Sequence, residues 1–360
     1  GDDIVNIAEH GQALIVTGKV TGAQAGDVIT LSLNGKDYTA MLDASGNWSV
    51  GVPATDVGAL ANGDQTISAT LTDKAGNSTS ATHAFDVSLT APVIAINTLA
   101  VDDVINATEK GQDLLISGTS NQPDGTRITV TLNGISYAAT TDASGNWSVT
   151  VPAANVSVLG EASYSVTASV TDTAGNSANT SHSVLVDSAL PQVTINAVAT
   201  DDVINAAEKG ADLVLSGSTS NVEENQTVTV TFGGKTYTAK VDADGNWTAT
   251  VPSSDLAGLK DGDASVQVSV TNVNGNSASA GREYSVDATA PSVTINTIAT
   301  DDILNATEAQ SDLAISGTST AEAGQTLTVS LNGKDYTTTV SANGSWTLNV
   351  PAADLAGLTD

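Results

Sequence analysis

Between residues 193 and 286 apolar side chains fall at every second position in a succession of short runs, parted by glycine, asparagine, aspartate and proline. Val228, Val230 and Phe232 share one face; after Gly233-Gly234 come Tyr237, Ala239 and Val241, then Trp247, Ala249 and Val251, then Val266, Val268 and Val270, and finally Tyr284 and Val286. A period of two marks a strand with one face in the core, so these runs predict strands, with two more at 193–196 and 213–216. Gly233-Gly234 predicts a tight hairpin, because glycine takes the positive φ that such turns need. The stretches 242–246 and 272–276 read as turns. Pro252 ends a strand, and 253–259 predicts a single helical turn capped by Asp255.

The same pattern is written almost four times. Trp48, Trp147, Trp247 and Trp346 stand 99, 100 and 99 residues apart, each followed at one offset by Pro53, Pro152, Pro252 or Pro351. Starting each unit at Pro92, Pro191 or Pro291 gives repeats at 1–91, 92–190, 191–290 and 291–360. The first lacks only its opening strand, and the last stops before its final two and is not expected to close a sandwich alone. Seven short strands in about 100 residues suit an immunoglobulin-like β-sandwich. The expected fold is therefore all-β, a series of tandem immunoglobulin-like domains stacked end to end as a rod. Each Trp reads as a core residue. With strands of ~7 residues at ~3.3 Å each plus loops, a unit would be about 40 Å long and the chain on the order of 140 Å.

An acidic loop recurs in every unit, after the first strand where that strand is present. Its copies are Asp2, Asp3, Asn6 and Glu9; Asp102, Asp103, Asn106 and Glu109; Asp201, Asp202, Asn205 and Glu208; and Asp301, Asp302, Asn305 and Glu308. These are hard oxygen donors of the kind Ca²⁺ prefers, and calcium takes six to eight of them at ~2.4 Å. Tracing strand directions puts each loop at the end of its unit that faces the next. Near Pro191 the loop of the second unit, with Asp187, would meet Asp242, Asp244 and the Asn272 turn of the third; Asp287 stands one repeat further on. An ion there would neutralise clustered carboxylates and turn a flexible string into a rod. Secondary candidates are the turns at Asp73 and Asp172, replaced by Asn272 in the third unit, and those at Asp142 and Asp242, replaced by Ser341 in the fourth. The competing reading makes all of these solvated turn formers whose side chains cap local backbone.

Charge narrows the choice of partner. The chain has 40 acidic against 11 basic residues, a net charge of −29, which disfavours nucleic acid and anionic membrane. It has no cysteine to brace its domains, and no run nears the roughly 18 apolar residues of a membrane helix. The chain reads as a segment of something longer, with targeting signals outside it. His83 and His182 share one repeat position, taken by Arg282 in the third unit, and read as rim positions on the last strand; His10 reads as an exposed loop residue. Neither a convergent catalytic set, a zinc spacing nor a phosphate loop is legible, so no enzyme is expected.

Four marks carry a family resemblance: Asp-Asp-x-x-Asn-x-x-Glu, the Gly-Asn-Trp turn with its Val-Pro, the Asp-x-x-Gly-Asn turn, and the Ala-Pro-x-Val-Thr-Ile-Asn type of opening. Together they resemble the bacterial immunoglobulin-like tandem repeats of giant type I-secreted, biofilm-associated, RTX-type adhesins of Gram-negative bacteria. The resemblance implies an extracellular stalk at the bacterial cell surface, with calcium ions in or between domains. Its partners would be neighbouring repeats of the chain, and a host-cell or biofilm-matrix surface reached through modules elsewhere. Ser88, where other units have Asp187 and Asp287, departs from the pattern, as does Ser345 in place of Asn47, Asn146 and Asn246. Two alternatives stand beside the stalk: repeats that themselves bind glycan or protein, and accessory domains of a secreted enzyme.

Overall fold

The second repeat shows how the alternation closes into a sandwich. In the computed structural model, which describes residues 1–358, it contains β1 (Ile94–Ile96), β2 (Val104–Ile105), β3 (Leu114–Ser120), β4 (Arg127–Leu132), β5 (Ile135–Thr140), β6 (Asn146–Val151), the helical turn α1 (Ala153–Val156), β7 (Ala162–Thr171) and β8 (Ser177–Val186). One sheet has the order β6-β3-β1 and the other β5-β4-β7-β8-β2. Their inward faces supply Ile116, Ile128, Val130, Trp147, Val166 and Val184, all nearly inaccessible to solvent. Each buried aliphatic side chain of this size contributes about 1.5–3 kcal/mol.

The acidic stretch, expected to be loop, contains a strand. After β1 the chain crosses to the other sheet, where β2 runs parallel to β8 with Val104 opposite Leu185 and Ile105 opposite Val186. The crossing buries Leu99 and Ile105 completely. It needs left-handed backbone at Ala100, Val101 and Asp103, with φ of 48°, 73° and 65°. Ile4–Asn6 and Val203–Asn205 make the same parallel pairing with Ser78–Ser88 and Ser277–Asp287. The apolar pair inside each of these acidic motifs is the reason: one of its members, Val5, Ile105 or Ile204, is buried in the core.

Gly118 lets β1 lie on β3. A Cβ there would sit 1.9 Å from the Ala95 carbonyl oxygen and 2.4 Å from the Trp147 ring. The helical turn corrects another expectation. In the third repeat it spans Ser253–Leu256, and Asp255 does not cap it. The cap comes from outside, as Asp212 accepts the N–H of Ser253 at 2.8 Å, and Asp113 and Asp312 do the same for Ala153 and Ala352. Asp255 instead accepts the Tyr237 hydroxyl at 2.8 Å and the Lys235 ammonium at 2.6 Å.

The chain groups into two compact units, Gly1–Pro191 with Thr271–Ala278, and Gln192–Val270 with Ser279–Asp360. In the first, repeat one has a sheet of Ile4–Asn6, Ser78–Ser88, Gly63–Thr72, Val28–Leu33 and Lys36–Met41, and a two-stranded sheet of Leu14–Lys19 and Asn47–Val52. In the second, the fourth repeat gathers a smaller core of Ile315, Trp346, Leu348, Val350 and Leu355. Its strand Thr326–Leu331 keeps only half-buried inward residues where Thr227–Phe232 has buried ones. Trp147, Trp247 and Trp346 are core residues, 2%, 1% and 1% exposed, while Trp48 is half-buried.

Candidate functional site

Each oxygen-rich motif is first a device for folding its own backbone. In the second repeat Asp102 Oδ1 accepts the N–H of Val104 at 3.1 Å, and Asp103 Oδ1 accepts that of Leu99 at 2.8 Å. Asn106 Oδ1 accepts from Thr108 at 2.9 Å and Glu109 at 3.1 Å, while Glu109 Oε2 accepts the N–H of Asn106 at 3.1 Å. This reciprocal pair is a capping box, and it satisfies amide groups that open a helical turn. The same bonds recur at Asn6 and Glu9, at Asn205 and Glu208, and at Asn305 and Glu308. Asp2, Asp201 and Asp301 likewise accept from Ile4, Val203 and Ile303.

The second aspartate of the motif reaches sideways to the last strand. His83 and His182 stand 2.8 and 2.7 Å from Asp3 and Asp103, and Arg282 grips Asp202 with two N–H donors at 2.7 and 2.6 Å. The N–H of Leu99 and then His182 hold the Asp103 carboxyl below its ordinary range. The Arg282 guanidinium, with the Val198 N–H, brings Asp202 down to about 2. These side-chain contacts fasten the short parallel strand to its neighbour. Asp302 accepts the N–H of Ile298 at 2.8 Å.

Within the first compact unit the acidic loops meet a turn of a later repeat. Asn176, 3% exposed, accepts the N–H of Ile7 at 2.8 Å and donates to the Ser88 carbonyl at 3.0 Å. Asn276, also 3% exposed, accepts from Ala107 at 2.7 Å and donates to the Asp187 carbonyl at 2.9 Å. Asn274 donates to Asp187 Oδ2 at 2.6 Å. One amide thus clamps both the loop and the end of the last strand, with its oxygen and its nitrogen each engaged.

The profile of the bacterial Ig-like domain matches residues 15–89 and 99–188. The Ca²⁺-stabilised adhesin that helps an Antarctic bacterium reach out and bind ice is 36% identical over 99% of this chain and 90% of that one, with a TM-score of 0.43. This chain belongs to the bacterial Ig-like domain family. Sequence identity along nearly the whole chain carries the assignment. An Ig-like domain from the M. primoryensis ice-binding adhesin is 35% identical over 27% of this chain and 98% of that one, with a TM-score of 0.23. A tetra-tandem repeat from the extending region of a large adhesion protein is 25% identical over 96% of this chain and 89% of that one, with a TM-score of 0.32. No curated protein sequence matches.

In these Ig-like repeats the candidate ligands are not all gathered. Asn106, Asp187 and the Asn272 turn come together, as do Asn6, Ser88 and the Asp172 turn. Asp142 and Asp242 each accept N–H groups of their own turn, from Ser144 and Asn146 or from Asp244 and Asn246. Asp73 does the same for Ala75 and Asn77, and the Asn77 side-chain amide, with these N–H groups, holds its carboxyl low. Asp287 is exposed on the strand facing Asn205. Among the described residues no three His, Cys, Asp or Glu side chains cluster as a metal cage. The donors nonetheless suit Ca²⁺ chemically, since Asp102 and Glu109 each spend one carboxylate oxygen on backbone and keep the other. An ion would have to complete its shell with carbonyl, amide or water oxygens.

Sequence reasoning missed the clamp asparagines and the partners of the second aspartate. The signal for the latter was present: His83, His182 and Arg282 are all able to carry positive charge, always at one repeat position, always opposite Asp. His10, expected to be exposed, is half-buried with Nε2 3.1 Å from the Leu60 carbonyl oxygen, and Lys209 meets the Leu259 carbonyl in the same way.

Proposed function

We propose that this chain is a structural segment of a large extracellular adhesin at the bacterial cell surface. Its Ig-like repeats would serve as a stalk that holds a distal adhesive module away from the cell, for adhesion or biofilm formation. The observation that carries this reading is identity over nearly the whole chain to adhesin repeats, one set of them from an adhesin described as Ca²⁺-stabilised. The buried asparagine clamps support it, since they tie one repeat's acidic loop to the next repeat's turn. No helix among the described residues is long and apolar enough to cross a membrane.

Calcium belongs to the same proposal. Asp102 with Glu109, and their counterparts Asp2 with Glu9, Asp201 with Glu208 and Asp301 with Glu308, would hold it. A bound cation would supply positive charge at the loops of a chain with net charge −29 and so remove repulsion that favours bent or open arrangements. The protein's own part is to present these carboxylates from loops already fixed by capping boxes, so little ordering is spent on binding.

Small-angle scattering of this chain in millimolar Ca²⁺ and then in chelator tests both parts. An extended particle on the order of 140 Å, set by ~3.3 Å per strand residue, that becomes more flexible on chelation is the expected result. A compact particle in both buffers would overturn the stalk. An extended particle indifferent to chelation would remove calcium from it and leave the clamps to hold the repeats.

A further inference from the structure

The two asparagine clamps use the same geometry with opposite placement of charge. In the first, the strand end is Ser88 and the turn carries Asp172; Asn176 Nδ2 lies 3.4 Å from Ser88 Oγ and 3.3 Å from Asp172 Oδ2. In the second, the strand end is Asp187 and the turn carries Asn272, with Asn274 in the place of Ala174 and bonded to the Asp187 carboxylate at 2.6 Å. Asp172 and Asn272 hold their turns identically, each Oδ1 accepting the N–H groups two and four residues on. The turn itself is therefore indifferent to the exchange of Asp for Asn. What changes is the partner: each clamp contains one carboxylate, on one side or the other.

We propose that this exchange is a pairing code that decides which repeat can follow which. A turn of the Asp-x-Ala type accepts a strand ending in a neutral residue, and a turn of the Asn-x-Asn type accepts one ending in aspartate. Carboxylates on both sides would crowd two negative charges around a single buried amide that can donate to only one of them well, and such juxtaposition is a strong device for rejecting wrong partners. Asp73 and Ala75 make the turn of the first repeat the same type as that of the second, and the turn is exposed at Ala75 and Asn77. It fits an Ig-like repeat with a neutral strand end, as at Ser88. Asp287, ending the last strand of the third repeat, fits a turn of the Asn-x-Asn type.

Amide exchange measured by NMR on the whole chain in chelator, where calcium cannot bridge two carboxylates, tests the code. The Ile7 and Ala107 amides report the two clamps separately, since each donates to a clamp asparagine. S88D should speed exchange at Ile7 by about tenfold or more, as opposed like charges weaken a contact, and leave Ala107 and the core amides of Val166 and Val184 unchanged. Adding D172N to S88D should restore protection at Ile7. N272D should free Ala107 alone, and D187S with N272D should restore it, which decides the question should S88D not fold. Protection of Ile7 in S88D, or double variants as open as the single ones, would overturn the proposal.

Discussion

A single oxygen atom rarely has one use in this protein. Acidic residues that look like ligands in the sequence, such as Asp103 and Glu109, also accept backbone N–H groups, and the amide of Asn176 closes a contact between repeats. Asp202 allows the energetic part to be measured. Its carboxyl lies near 2 because Arg282 and the Val198 N–H stabilise the charged form, against about 3.9 for a free aspartate. A pKa depressed by folding stabilises the native state fully above about pH 4, and that contribution is lost as pH falls toward 2. R282A should therefore lower the melting temperature at neutral pH and raise the Asp202 pKa toward its ordinary value. The gap between R282A and the parent should close by about pH 2, as read from thermal melts across pH and carboxyl NMR titration. A gap independent of pH would mean that Arg282 acts by packing alone. Internal comparison makes a similar point: Lys36 with Asp56, Lys235 with Asp255 and Lys334 with Asp354 are ion pairs, and in the second repeat both partners change together to Ile135 and Asn155.

The elements were legible where alternation was long and hidden where it was short. Runs such as Val228 to Phe232 could be placed on a strand face from sequence, because a period of two has no other stable use. The strand Val104–Ile105 is two residues long, too short for any period, and its pairing depends on β8 some eighty residues later. Gly118 belongs to this scale as well. Its repeat position holds glycine in every unit, at Gly18, Gly217 and Gly317, because an indole and in most units a backbone oxygen fill the space of a side chain. G118A should cost about 3 kcal/mol through overpacking and should release β1, seen as lost amide protection at Asn97, whose N–H donates to the Ser117 carbonyl at 2.9 Å, and a lower urea midpoint. An unchanged midpoint would show that both the Ala95 backbone and the Trp147 ring can move aside.

At the scale of the molecule the dominant fact is charge. With 40 acidic and 11 basic residues, folding brings like charges together, and either salt or a bound cation relieves them. The two are separable. Calcium at about a hundred times its dissociation constant adds about 2.7 kcal/mol to a site that exists only in the folded state, so millimolar CaCl₂ should raise the melting temperature well beyond NaCl of equal ionic strength. Equal effects of the two salts would assign the response to screening.

The sequence by itself determined that the chain is all-β, repeated about every hundred residues and built around one Trp per unit. These properties depend on local alternation, turn residues and composition, each of which acts over a few neighbours. Which oxygens meet was decided by tertiary structure. Whether Asp103 faces an ion or His182, whether Asp172 lies beside Ser88, and which asparagine closes the contact all depend on strands that cross between sheets and on turns 169 residues away in the chain. Side-chain bonds of this kind are set by position in space, and residue type alone leaves several partners equally suitable.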